Sequence, residues 1–180
     1  MTRSKLNKLV INKIDKNLKD YFLPICLIIV LSFSRLIPHP WNFTPVLAMG
    51  IFSGFYFKNF ILSSFVVIFS MFIGDLFLGF HSTMFFTYAS LIIAVVFGLF
   101  INKFKFTEIL FSGLASSVCF FVVTNFGAWL TLEMYEKNLA GLFQSYVLAI
   151  PFFHNTLIST LFYLIVLKLL FTFIVKEKIA

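Results

Sequence analysis

Apolar residues in this sequence come as runs rather than at a helical or strand period. Six runs, 21–34, 44–57, 60–80, 85–101, 109–130 and 151–175, follow one another with short polar breaks. Backbone N–H and C=O groups find no water partner in hydrocarbon, so spanning segments are helices or closed barrels. Unbroken apolar runs of this kind predict helices. Composition agrees: 61% of residues are hydrophobic, 20% aromatic and only 12% charged, against about half apolar and a quarter charged in soluble domains. A small soluble fold leaves too much of itself exposed to hide that surface. The expectation is an all-α, polytopic membrane bundle of about six transmembrane helices, in one domain. Several runs fall short of the ~20 residues a bilayer requires, and 44–57 is open between a full span and a half-helix or re-entrant segment. A half-helix is tolerated only where protein or a watery cavity covers it.

Basic residues set the orientation. With the N-terminus inside, Arg3, Lys5, Lys8, Lys13, Lys16, Lys19, Lys58, Lys103, Lys105, Lys176 and Lys178 all lie on the inner side; Arg35 and Lys137 lie outside, and Lys168 near the inner end of the last run. That is the positive-inside pattern. It predicts N-in/C-in topology and a multi-pass protein of the plasma (inner) membrane. Residues 1–20 read as a basic, amphipathic cytoplasmic segment, 21–175 as the bundle and 176–180 as a cytoplasmic tail. Residues 138–150 read as a short outer helix ending before Pro151. The net charge of +7 is spent at run ends and on lipid headgroups, so nucleic acid is not an expected partner.

Polar groups at membrane depth are costly and mark sites. On this topology Arg35 closes the first run on the outer side, and Asp75 lies five residues, or about 8 Å, inward from the outer end of the third. Asn125 lies at a similar depth, with Trp129 one turn outward on the same face. His154 and Asn155 open the last run, and His81 and the segment Pro38-His39-Pro40-Trp41-Asn42 cap the same side. Polar groups of at least four helices thus share one outer-facing level. Arg35, His39, Trp41, Asn42, Asp75, Asn125, Trp129, His154 and Asn155 are the candidate substrate-binding residues. The alternative is structural: Arg35 and Asp75 neutralise each other, and the amides join helices. Asn155, Ser159 and Tyr163 fall on one helix face, lining a cavity or packing on a neighbour.

Three prolines (Pro38, Pro40, Pro45) stiffen the segment after the first run, a lid over the site or a plain connector. Gly50-Ile-Phe-Ser-Gly54 is a GxxxG pattern, and 112–117 is a second small-residue face; both favour close helix contact. Cys26 and Cys119 are isolated within apolar runs and suggest neither disulfide nor metal. No nucleotide-binding loop, HExxH or GxSxG is present, so no enzyme, cofactor or metal is expected.

The stretches Arg35-Leu-Ile-Pro-His-Pro-Trp-Asn42-Phe-Thr-Pro45, Gly74-Asp75-Leu-Phe-Leu-Gly79, Thr124-Asn125-Phe-Gly-Ala-Trp129 and Ile150-Pro-Phe-Phe-His154-Asn155 resemble an uncharacterised family of small bacterial integral membrane proteins. More distantly, the layout is similar to the S components of energy-coupling factor transporters. That resemblance implies capture of a vitamin or metal near the outer surface, beneath a loop after the first helix. It also implies delivery with a transmembrane coupling subunit and ATPases. The run 21–34 departs from it in holding no Ala or Gly. The expected function is therefore a membrane-embedded uptake component capturing a small solute at the outer face. The alternatives are a structural protein of a cell-envelope complex and a solitary proton-coupled carrier using Asp75.

Overall fold

A computed structural model describes residues 32–177 and, ahead of them, Phe22, Ile25, Cys26 and residues 28–30. The basic segment 1–20 and the end of the expected tail lie outside the described residues, and side chains are described up to Phe173. The described residues of the first run through Phe33 are helical, and a 3-10 turn, Ser34–Leu36, closes it. Five α-helices follow: α1 Val46–Phe57, α2 Phe60–Leu78, α3 Met84–Phe100, α4 Phe106–Thr131 and α5 Leu139–Glu177. Among the described residues there is no strand. Three stretches are long and apolar enough to cross a bilayer: Phe60–Leu78, Phe106–Thr131 and Leu139–Phe173. The fold is thus all-helical with membrane-helix character.

α1 and α3, at 12 and 17 residues, measure about 18 and 26 Å. The shorter one falls below the ~20 residues that a bilayer requires of a spanning helix. It is covered by protein on every side, with every residue buried except the half-buried Tyr56. A helix apolar all round belongs at the centre.

The other helices are built inside out. On α2 the buried positions are Ser63, Val66, Val67, Ser70, Met71, Gly74 and Asp75, a stripe at spacings of three and four in which Ser63, Ser70, Gly74 and Asp75 are small or polar. Phe65, Phe69, Phe72 and Leu76 point outward. Small residues inside let backbones approach where no water drives apolar side chains together. On α1 and α3 the approach is closest. A β-carbon at Gly54 overlaps the Val95 carbonyl oxygen, one at Gly98 overlaps the Ile51 carbonyl, and one at Gly50 comes within 3.0 Å of Ala94 Cβ. The two helices therefore run parallel, with α2 returning antiparallel between their ends.

At the C-terminal end of α1 the core is aromatic: Phe55 stacks on Phe104 at 4.4 Å, and Phe171 meets Phe55 edge-on at 5.5 Å. Lys58, in a left-handed conformation (φ 50°), ends α1 and donates to the carbonyls of Leu99 and Ile101, tying off α3 as well.

The last helix corrects an expectation. Residues 138–150 are not a separate outer helix, because α5 runs unbroken for 39 residues with Pro151 inside it. A proline costs one i→i−4 bond, and packing along α4 compensates. Tyr146 Oη donates to the Val122 carbonyl at 3.0 Å, and Phe121 packs on both Tyr146 and Phe153.

Candidate functional site

The 3-10 turn after the first helical segment aims Arg35 at α2. Its Nη1 donates to Asp75 Oδ1 at 3.0 Å and to the Met71 sulfur at 2.8 Å. The second carboxylate oxygen accepts from Tyr88 Oη of α3 at 2.7 Å. Gly74 makes room, since a β-carbon there sits 3.3 Å from Nη1. Asp75 is 1% exposed and Arg35 14%, so the carboxylate is fully enclosed while the guanidinium reaches an open space. The three groups join the end of the first helical segment to α2 and α3. The two charges do neutralise each other, and Asp75 lies behind Arg35 rather than in the cavity.

The segment between Arg35 and α1 is held in a fixed shape. Phe43 N–H donates to the Pro40 carbonyl at 3.0 Å, closing a turn in which Asn42 is left-handed (φ 60°). Asparagine tolerates that region better than most residues. The turn is pinned to α5: Asn155 Nδ2 donates to the Trp41 carbonyl at 2.9 Å and Tyr163 packs on Phe43 at 6.1 Å, while Ser159 Oγ shares its one hydrogen between the Thr156 carbonyl at 3.0 Å and the Asn42 carbonyl at 3.4 Å. The face Asn155, Ser159, Tyr163 thus meets three successive residues of the segment. Neither a cavity alone nor a neighbouring helix is what that face serves.

Beneath the pinned segment lies a cavity of about 550 Å³. Arg35, Trp41 and Asn42 line it from the segment's side, and Thr44, Val46 and Leu47 from the start of α1. His81, Thr83 and Thr87 contribute from α3 and its approach, Phe120, Thr124 and Asn125 from α4, and Thr156, Ser159 and Thr160 from α5. On the far side of the segment a recess of about 440 Å³ is lined by His39 and again by Arg35, Trp41, Asn42 and Thr44. The segment is a partition between the two.

Of the expected site residues, Arg35, Trp41, Asn42 and Asn125 line the cavity. His39 lies on the recess side, Asp75 supports Arg35, and Asn155 holds the partition. Trp129 is turned away: its Nε1 donates to the Glu136 carbonyl at 2.9 Å and its ring packs on Phe126. His154 is exposed beside Phe153 and lines none of these spaces. Sequence reasoning missed the threonines, six of which line the cavity (Thr44, Thr83, Thr87, Thr124, Thr156, Thr160). Their signal was weak because a threonine in a helix commonly bonds its own backbone. Thr124 donates to Phe120 O, Thr156 to Phe152 O and Thr160 to Thr156 O.

Among the described residues no three His, Cys, Asp or Glu side chains gather as metal ligands. No curated protein and no solved structure matches the chain. Residues 15–180 match a family of unknown function (DUF6580), and the chain belongs to that family.

Proposed function

We propose that this member of a family of unknown function is a multi-pass plasma-membrane protein that captures a small polar solute in the cavity behind the Ile37–Pro45 segment. The observation that carries the reading is the cavity itself. Its volume of about 550 Å³ falls in the range of small-molecule sites, and its wall is rich in hydroxyl, amide and guanidinium groups where apolar packing is the cheaper solution. On the N-in/C-in topology, which rests on the distribution of Lys and Arg, the cavity faces outward and the pinned segment is its roof. That arrangement is similar to an energy-coupling factor S component, and it supports a role as the capturing half of an uptake system. A transmembrane coupling subunit with its ATPases would then supply energy. The chain acts by binding rather than by catalysis.

The test is thermal unfolding of the purified full-length protein with candidate vitamins, nucleobases and amino acids. A bound solute at a hundredfold over its Kd adds about 2.7 kcal/mol. Stabilisation by one compound, lost in Asn125→Ala with the apo melting temperature retained, supports capture. A protein that unfolds cooperatively but responds to no compound overturns it.

One observation favours a structural role in a cell-envelope complex instead. Asp75 has both oxygens engaged by Arg35 and Tyr88, as a lock on the bundle requires. On that reading Asn125→Ala and Asp75→Asn lower folded yield and partner retention together, without any ligand response.

A further inference from the structure

The cavity wall is polarised, and its polarity describes the solute. A carbonyl oxygen carries no hydrogen, so a hydroxyl bonded to one spends its own hydrogen there. Thr124, Thr156 and Thr160 each donate to a carbonyl of their own helix at 2.7 to 3.1 Å, and what remains on each oxygen is acceptor capacity. Asn125 Nδ2 donates one of its two hydrogens to the Phe121 carbonyl at 2.7 Å, which fixes the amide orientation and leaves Oδ1 as an acceptor beside one remaining N–H. The α4 and α5 side of the cavity is therefore rich in acceptors.

Donors enter the wall from Arg35 and from the start of α1. Arg35 lines the cavity with Nη1 committed to Asp75 and Met71; its Nη2 and Nε groups bond no other described residue. α1 also begins here. Val46 and Leu47 of its first turn line the cavity at 6% and 3% exposure, and no side chain caps that helix. Helix-start N–H groups have no partner within their own helix and need one when buried. No Asp, Glu or Lys lines the cavity. Because Asp75 already balances Arg35, a solute of net charge would meet no carboxylate, ammonium or unpaired guanidinium in this wall.

We propose that the captured solute is net neutral, with an oxygen acceptor group at the Arg35 and α1 side and N–H donors facing the α4 and α5 hydroxyls. Amino-acid zwitterions and uncharged nucleobases or cyclic amides share that chemistry. The inference rests on the capture reading above.

The experiment is thermal unfolding of the full chain in lipid nanodiscs against matched probes. Tryptophan and histidine are compared with their N-acetyl forms, which lose the ammonium, and their methyl esters, which lose the carboxylate. Uracil is compared with 1,3-dimethyluracil, and benzoate serves as a donor-free anion. The expected result is a concentration-dependent rise in Tm with a parent amino acid or with uracil and none with its blocked form. The parent that responds identifies the zwitterionic or the uncharged source. For that probe, Thr156→Val/Thr160→Val should weaken binding about tenfold, the effect of one to two lost hydrogen bonds, while the apo Tm stays near wild type. Equal response to blocked and parent compounds, or response to benzoate, overturns the polarity assignment and leaves capture standing. Response to none of these probes, with a response to another compound of the wider screen, likewise overturns the assignment and leaves capture standing; response to nothing in either set overturns both.

Discussion

The contact between α1 and α3 gives a sharp quantitative expectation, because it is backbone against backbone. In Gly98→Ala the new methyl overlaps the Ile51 carbonyl oxygen and lies 2.8 Å from the Ile51 carbonyl carbon and 3.0 Å from its Cα. Carbon atoms prefer separations of about 3.5–4.0 Å, so the helices must part by roughly 0.5 Å or more along their whole interface. Two effects oppose each other. Alanine stabilises a helix interior by about 1 kcal/mol relative to glycine, whereas overpacking a closed contact costs about 1–3 kcal/mol. Here the obstruction is a main-chain carbonyl on a helix buried on all sides, which cannot rotate aside, so the upper end applies. The net expectation is a loss of about 1–2 kcal/mol. Gly113→Ala is the control: its methyl meets the tips of Leu161 and Leu164 at 2.7 and 3.1 Å, and flexible tips move aside. Reversible unfolding in mixed micelles, followed by circular dichroism, should rank Gly98→Ala and Gly54→Ala well below wild type and Gly113→Ala within about 0.5 kcal/mol of it. A Gly98→Ala protein as stable as wild type refutes the close-packed register.

Asp75→Asn should destabilise by about 2–3 kcal/mol, less than the ~3–5 of a fully buried broken pair because Arg35 reaches the cavity. The same unfolding assay should show Arg35→Gln/Asp75→Asn recovering part of that loss. Tyr88→Phe removes one hydrogen bond to a carboxylate and should cost about 1.5 kcal/mol, falling to a few tenths in an Asp75→Ala background, where no partner is left at position 75. Asn155→Ala releases the partition: in a Trp129→Phe background, where Trp41 is the remaining tryptophan, fluorescence anisotropy should fall while the melting temperature barely moves. Lys58→Met strips the Leu99 and Ile101 carbonyls of their donor and should cost about 1 kcal/mol, read by the same unfolding curves.

What was legible in the sequence follows from how much each signal costs in hydrocarbon. Ionisable and amide groups at membrane depth are rare, so Arg35, Asp75, Asn42 and Asn125 stood out. Threonine is common there because it satisfies itself on its own helix, and the hydroxyl wall passed unnoticed. The Gly50–Gly54 pattern was readable because nothing but a small residue permits backbone approach. Pro151 misled for the converse reason. Proline reads as a helix start, yet within a packed helical pair its missing bond is a loss the neighbour can offset. Trp129 shares a face with Asn125 by spacing alone. Its indole N–H instead found the carbonyl of Glu136, in a connection whose path periodicity does not describe.

The cavity exists because the central helix runs out. Gly50 opposite Ala94 and Gly54 opposite Gly98 set a register that puts Val46, where α1 begins, near the level of Ser90. α3 begins six residues earlier, at Met84, and so extends about 9 Å beyond the start of its neighbour. That is the stretch from which Thr87 lines the cavity. Where a full-length helix would have filled the bundle, the chain returns as the proline-stiffened segment pinned to α5. The space left between segment and helix end is floored by Val46 and Leu47. One length mismatch therefore produces the void, the buried and uncapped helix start, and the roof. On the capture reading, solute binding depends on residues that never touch the void. Ile51, which Gly98 abuts, lies five residues, or about 8 Å, from the floor at Val46, on a helix too short and too enclosed to bend away the strain. Gly98→Ala should therefore weaken solute-induced stabilisation as well as the fold, whereas Lys58→Met, acting at the far end of the same helix, should lower stability with the ligand response intact. Equal ligand responses in the two variants would separate the cavity from the glycine register and refute the dependence.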